Sequence, residues 1–185
     1  MQKLLITFII MSGLVMTGQS QKTYQLNTKK SAIKWIGKYS FLFSEHTGTV
    51  QFTGGELQTS DGNITGGNFL IDMTTITNEE YEKGLGPVEH LRNEDFFDVN
   101  KFPEAKLVIT SVEFFPNENR HRMFGDLTIK GITKPVEFWP EVYPEQEKMY
   151  VQLKIDRTRW GITHDNKVKE HAISDAIELY VTLQF

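Results

Sequence analysis

The chain has 185 residues, 39% hydrophobic and 24% charged, with a formal net charge of −4 and no cysteine. That composition suits one globular domain with a sizeable core and excludes disulfide stapling. It holds no basic stripe of the kind needed to track phosphates, which argues against nucleic acid as a partner.

Residues 1–20 read as a secretory signal peptide. Lys3 supplies the positive start, residues 4–16 are mostly apolar, and the stretch from Gly18 to Ser20 supplies small residues, Gly18 and Ser20, near a cut. The apolar run is short for a membrane-spanning helix, so no transmembrane segment is expected in the mature chain. A leader that stays in place as an anchor is the alternative. Lys3 is the only charge in the leader, and its removal takes the net charge from −4 to −5. The remainder, 21–185, reads as a single domain exported to the periplasm or secreted, and stabilised by its core alone.

Strand signals then follow one another. Tyr24 and Leu26 alternate with Gln25 and Asn27. Ile33, Trp35 and Gly37 alternate with Lys34 and Lys38, and Val50 and Phe52 with Gln51 and Thr53. Gly54-Gly55 suggests a bulge, and Ser60-Asp61-Gly62-Asn63 a hairpin turn. Gly67, Phe69, Ile71 and Met73 face one way, and Asn68, Leu70, Asp72 and Thr74 the other.

The alternation stops over residues 78–100. Gly86-Pro87 suits a helix start, with Glu89 in the first turn, and Pro103 stops whatever helix there is. The apolar positions Val88, Leu91, Phe96, Phe97, Val99 and Phe102 keep no helical period throughout. This predicts one short helix followed by an extended segment that plugs aromatics into something.

Leu107, Ile109 and Ser111 resume the alternation, and Pro116-Asn117-Glu118-Asn119 predicts a turn. Leu127 and Ile129 oppose Asp126, Thr128 and Lys130, and residues 131–135 read as a connector before Val136 and Phe138. Val151, Leu153 and Ile155 alternate with Gln152, Lys154 and Asp156. Residues 163–171 read as a polar loop. The chain closes on Ile177, Leu179, Val181, Leu183 and Phe185, set against Glu178, Tyr180, Thr182 and Gln184.

About nine runs of strict period two, with no βαβ rhythm, predict an all-β antiparallel barrel of about eight strands, capped by one short helical interlude. A barrel of that size either fills with side chains or holds one small ligand. The inward-phase glycines Gly37, Gly54, Gly67 and Gly131 remove volume from the lumen, or else mark bends.

Four blocks can be named as a pattern. His90-Leu91-Arg92, with Asp95-Phe96-Phe97-Asp98-Val99 and Lys101-Phe102-Pro103, closely resembles the signature of the YceI-like family of bacterial envelope proteins. So do residues 124–136, from Phe124-Gly125-Asp126 to Pro135-Val136. Arg157-Thr158-Arg159-Trp160-Gly161-Ile162 and Ser174-Asp175-Ala176-Ile177-Glu178-Leu179 resemble the later blocks, in the family's order. The resemblance implies a lipocalin-like barrel that binds an isoprenoid lipid, either a polyprenyl chain or a quinone tail. It implies a possible homodimer, although no residue here marks a pairing face. This chain departs from the pattern at Arg159, where the family usually has an acidic residue. It departs again at Trp160, usually Phe, and at Ala105, usually a larger apolar residue.

The residues expected along an apolar tail are Trp35, Phe52, Phe69, Ile71, Leu107, Ile129, Phe138 and Leu153, whose plainer role is core packing. The expected polar mouth is His90, Arg92, Asp95 and Arg157. An Arg suits phosphate oxygens, although Arg92 has Asp95 at i,i+3 as a ready partner. His46, His90, His164 and His171 with Glu45 or Glu170 show no metal-site spacing, and no metal or other cofactor is expected. Without Cys, a nucleophile elbow or a P-loop, an enzyme is not expected either. The alternatives are a hydrolase or isomerase using His90 and Asp95 at the barrel mouth, and a stress-linked envelope protein with a filled barrel.

Overall fold

A computed structural model describes residues 20–39, 45–79, 87–163 and 173–185. In chain order they form β1 (Gln21–Gln25), β2 (Ala32–Tyr39), β3 (Glu45–Ser60) and β4 (Asn63–Asp72). Helix α1 (Pro87–Arg92) follows, then β5 (Glu104–Phe115), β6 (Arg120–Ile129) and β7 (Ile132–Phe138). β8 (Glu141–Tyr143), β9 (Lys148–Asp156) and β10 (Ile173–Gln184) complete the chain. Residues 1–19 of the expected leader, Gly86, and residues 164–171 of the expected polar loop, with His164, Glu170 and His171, lie outside the described residues.

All pairings are antiparallel, along the path β7-β6-β5-β4-β3-β2-β10-β9-β8, with β1 on the second half of β3. The sheet therefore has ten strands rather than about eight. The eight long ones form the wall, and β1 and β8 are short additions that the sequence pattern did not separate. Alternation decides which face is dry, and the register stacks the inward residues in columns: Trp35 lies opposite Leu179 on one side and Gly48 on the other. Phe69 lies opposite Leu107, and Leu107 opposite Leu127.

Two hairpins turn on residue pairs with positive φ, Asp61-Gly62 (50° and 82°) and Lys130-Gly131 (50° and 73°). Such turns match the right-handed twist of the strands they join. The second one corrects the expected connector. β7 starts at Ile132 and runs through Pro135, and a proline is tolerated there because β7 ends the ladder and its other edge donates to no strand. Gly54 falls at a break in the β3–β4 register, which is the expected bulge. Of the four glycines expected to empty the lumen, only Gly37 lines the cavity.

Strand pairing does not close the barrel between β7 and β9, although the two lie against each other. A 3-10 turn, Arg157–Trp160, closes that end of the seam. Trp160 is fully buried and its indole N–H donates to the Leu127 carbonyl at 3.0 Å, while Arg159 donates to the Pro135 carbonyl at 3.1 Å. The two departures from the family pattern in this block are thus the two residues that tie β9 to β6 and β7. A Phe at 160 could fill the space but could not make the bond.

The interlude caps the same end. Met73–Thr75 forms a 3-10 turn capped by the Asp72 carboxylate, which accepts from Thr74 N–H. After α1, residues 93–102 are not extended as expected. The chain folds back through turns, with Phe97 N–H donating to Leu91 O, Val99 N–H to Arg92 O and Phe102 N–H to Asp98 O. Asp98 takes a left-handed φ of 48° to allow it. Phe96 and Val99 are buried. Phe102 lies instead over Gly131, where an added Cβ would meet its ring at 2.9 Å.

Candidate functional site

The inward columns do not meet across the middle. They surround a cavity of about 210 Å3 lined by side chains from all eight long strands. A dry apolar cavity of about 150 Å3 already suffices to bind benzene, so this space is of ligand size. Its β9 lining runs from Met149 through Val151, Leu153 and Ile155 to Arg157. At about 3.3 Å per residue and a tilt near 40°, that column spans about 20 Å of depth. The cavity is therefore a narrow slot along the barrel axis, shaped for a chain rather than a disc.

Each of the eight residues expected along a tail lines this slot: Trp35, Phe52, Phe69, Ile71, Leu107, Ile129, Phe138 and Leu153. Ala105, a small residue at a position where the family usually has a larger one, lines it too, opposite Ile71 and near the cap. Leu91, Phe96 and Phe97 close the slot from the cap, with Met73 and Ile76 beside them. Trp35 is fixed within the wall. Its indole N–H donates to the Thr77 carbonyl at 3.1 Å, over Gly48, where any Cβ would strike that same carbonyl.

The expected polar mouth is rearranged. His90 and Asp95 are exposed on the cap and outside the slot lining. α1 ends at Arg92, so Asp95 is not on the helix and the i,i+3 pairing with Arg92 does not form. Arg92 turns to the backbone instead, with Nη2 donating to Thr74 O at 3.1 Å and Ile76 O at 3.0 Å. It ties the cap to the turn after β4 and does not face the slot. Of the four, only Arg157 lines the slot. It is 4% exposed and donates to Ile162 O (2.6 Å), Ser174 O (3.2 Å) and Asp175 Oδ1 (3.0 Å).

The other polar residues at the slot are Lys38, Tyr39 and His46, all at the capped end. Tyr39 Oη and His46 Nε2 are 2.9 Å apart, with the rings edge to face at 5.3 Å. Lys38 Nζ donates to Glu178 Oε1 at 3.0 Å. That bond holds the Lys38 ammonium above its ordinary pKa and the Glu178 carboxyl below its own. Extending the period-two columns by one step, from Gly37 to Tyr39 and from Val50 back through Gly48 to His46, would have found this pair. The sequence reading stopped the first column at Gly37. Among the described residues no three His, Cys, Asp or Glu side chains are grouped to hold a metal. No helix among them is long and apolar enough to cross a membrane.

Residues 24–185 match the YceI-like domain. The chain belongs to the YceI-like family. It is 30% identical over 146 residues to a UPF0312 protein of Shewanella denitrificans, covering 74% of this chain and 71% of that one. Among solved structures it resembles BcnA of Burkholderia cenocepacia, with a TM-score of 0.70 at 19% identity, over 85% of this chain and 98% of that one. It also resembles a polyisoprenoid binding domain from Saccharophagus degradans implicated in plant cell wall breakdown, with a TM-score of 0.57 at 11% identity, over 90% and 97% of the two chains. At such identities these neighbours establish a shared YceI-like fold. The slot and its lining are read from this chain's own residues.

Proposed function

We propose that this YceI-like protein is an exported lipid-binding protein that holds an isoprenoid chain, polyprenyl or quinone-type, in the barrel slot. Its role would be transport, storage or sequestration rather than catalysis. The observation that carries the reading is the slot itself: about 20 Å deep by strand geometry, apolar along its length and polar at one end only. Burying a hydrocarbon chain there yields about 0.8 kcal/mol per methylene, so a tail binds by length without specific hydrogen bonds. A solved relative in fold described as a polyisoprenoid binding domain supports the same ligand class.

The enzyme alternative has less to stand on, because His90 and Asp95 are both exposed and neither lines the slot. A filled barrel is disfavoured by the slot. Export rests on the signal-like composition of residues 1–20. The test is mass spectrometry of an organic extract of the protein purified from a bacterial envelope fraction. We expect an isoprenoid lipid in near-equimolar amount, and a mature N-terminus close to residue 21. An extract containing no apolar compound above a control barrel would remove the proposal.

A further inference from the structure

Among the described residues, the two charged ones that line the capped end of the slot, Lys38 and Arg157, already have partners. Lys38 is bonded to Glu178, and Arg157 to two backbone carbonyls and Asp175. Glu45 places a further carboxylate within the field of Lys38. A phosphate or diphosphate arriving there would have to take Lys38 from Glu178, or Arg157 from carbonyls that would then be left buried and unpaired.

Tyr39 and His46 offer different chemistry. Both point inward, Tyr39 in step with Gly37 and Trp35, and His46 in step with Gly48 and Val50. One hydrogen lies between Tyr39 Oη and His46 Nε2. When His46 Nε2–H is the donor, the Tyr39 hydroxyl hydrogen is left to give to a third atom, and a carbonyl or hydroxyl oxygen is a fitting acceptor. The imidazole then braces the phenol and strengthens it as a donor.

We propose that Tyr39, braced by His46, is the head-group anchor of the slot, and that it selects isoprenoids with an uncharged, oxygen-bearing head over those ending in phosphate. This rests on the lipid-binding reading and adds to it the class of head and the residue that holds it.

The experiment compares four ligands of one isoprenoid tail length on protein freed of carried lipid: the alcohol, the quinone, the diphosphate and the headless hydrocarbon. Each displaces a fluorescent fatty probe from the wild type, Tyr39→Phe and His46→Ala, and thermal melts confirm that the variants are folded. In the wild type we expect the alcohol or the quinone, whichever head the site takes, to bind about tenfold tighter than the hydrocarbon, the equivalent of one neutral hydrogen bond. The diphosphate should bind no tighter than the hydrocarbon. Tyr39→Phe should bring the favoured ligand down to the hydrocarbon's affinity and leave the hydrocarbon within about twofold. His46→Ala should weaken the same ligand and spare the hydrocarbon. A diphosphate that binds as tightly as the favoured ligand overturns the inference, and so does a Tyr39→Phe loss shared equally by the hydrocarbon. Either result leaves the lipid reading standing, whereas failure of every ligand, hydrocarbon included, overturns both.

Discussion

Leu153 sits midway along the β9 column of the slot, opposite Leu179, and both are only partly buried because they face the cavity. In a packed core, Leu→Trp would cost about 1–3 kcal/mol of strain. Here the cavity receives the extra ring, so Leu153→Trp should lose less than about 1 kcal/mol of stability. Binding should suffer far more. The indole would cut the slot near half depth, denying a tail the region around Met149, Val151 and Leu183, about 10 Å by strand geometry. A chain shortened there by about six methylenes, at about 0.8 kcal/mol each, loses about 5 kcal/mol, or more than three decades in affinity. Chemical denaturation gives the stability change, and displacement of a fluorescent fatty probe by a long isoprenoid alcohol gives the affinity. Two results would refute the reasoning. One is a variant that binds the long tail as well as the wild type does. The other is a loss above about 3 kcal/mol in stability, which would mean that side chains already fill the middle of the barrel.

Three further outcomes follow from the packing. Gly48→Ala should destabilise by at least about 2 kcal/mol, because its Cβ would meet the Thr77 backbone and the Trp35 ring at once, and urea unfolding measures it. Trp160→Phe should cost about 1–3 kcal/mol by removing the indole donor to the Leu127 carbonyl and the volume of the larger buried ring, with faster amide exchange in β6 and β7 than in β3 and β4. Asp156 accepts from the Thr158 hydroxyl and N–H, which hold its carboxyl below the usual carboxylate range. A depressed pKa stabilises the fold above the ordinary carboxylate pKa, and that contribution fades as pH falls through the folded value. Asp156→Asn should therefore melt below the wild type at neutral pH, with the gap narrowing toward about pH 3.

Much of this was legible in the sequence because strand alternation is local. Which residues face the lumen follows from period two alone, and Trp35, Phe52, Phe69, Ile71, Leu107, Ile129, Phe138 and Leu153 need no knowledge of any partner strand. The two-residue turn at Asp61-Gly62 and the aromatic cap at Phe96 were readable for the same reason. What the tertiary structure alone decided is who meets whom across long separations. Arg92 had an acidic neighbour three residues on, yet the helix ends before that neighbour and carbonyls 16 and 18 residues back take its donors. Trp160 reaches a carbonyl 33 residues away to close a seam that no ladder closes. Tyr39 and His46 become a pair only because the β2–β3 register brings their columns side by side. Alternation belongs to a strand, whereas a mouth belongs to the closed barrel, and closure sets which polar groups end up around it.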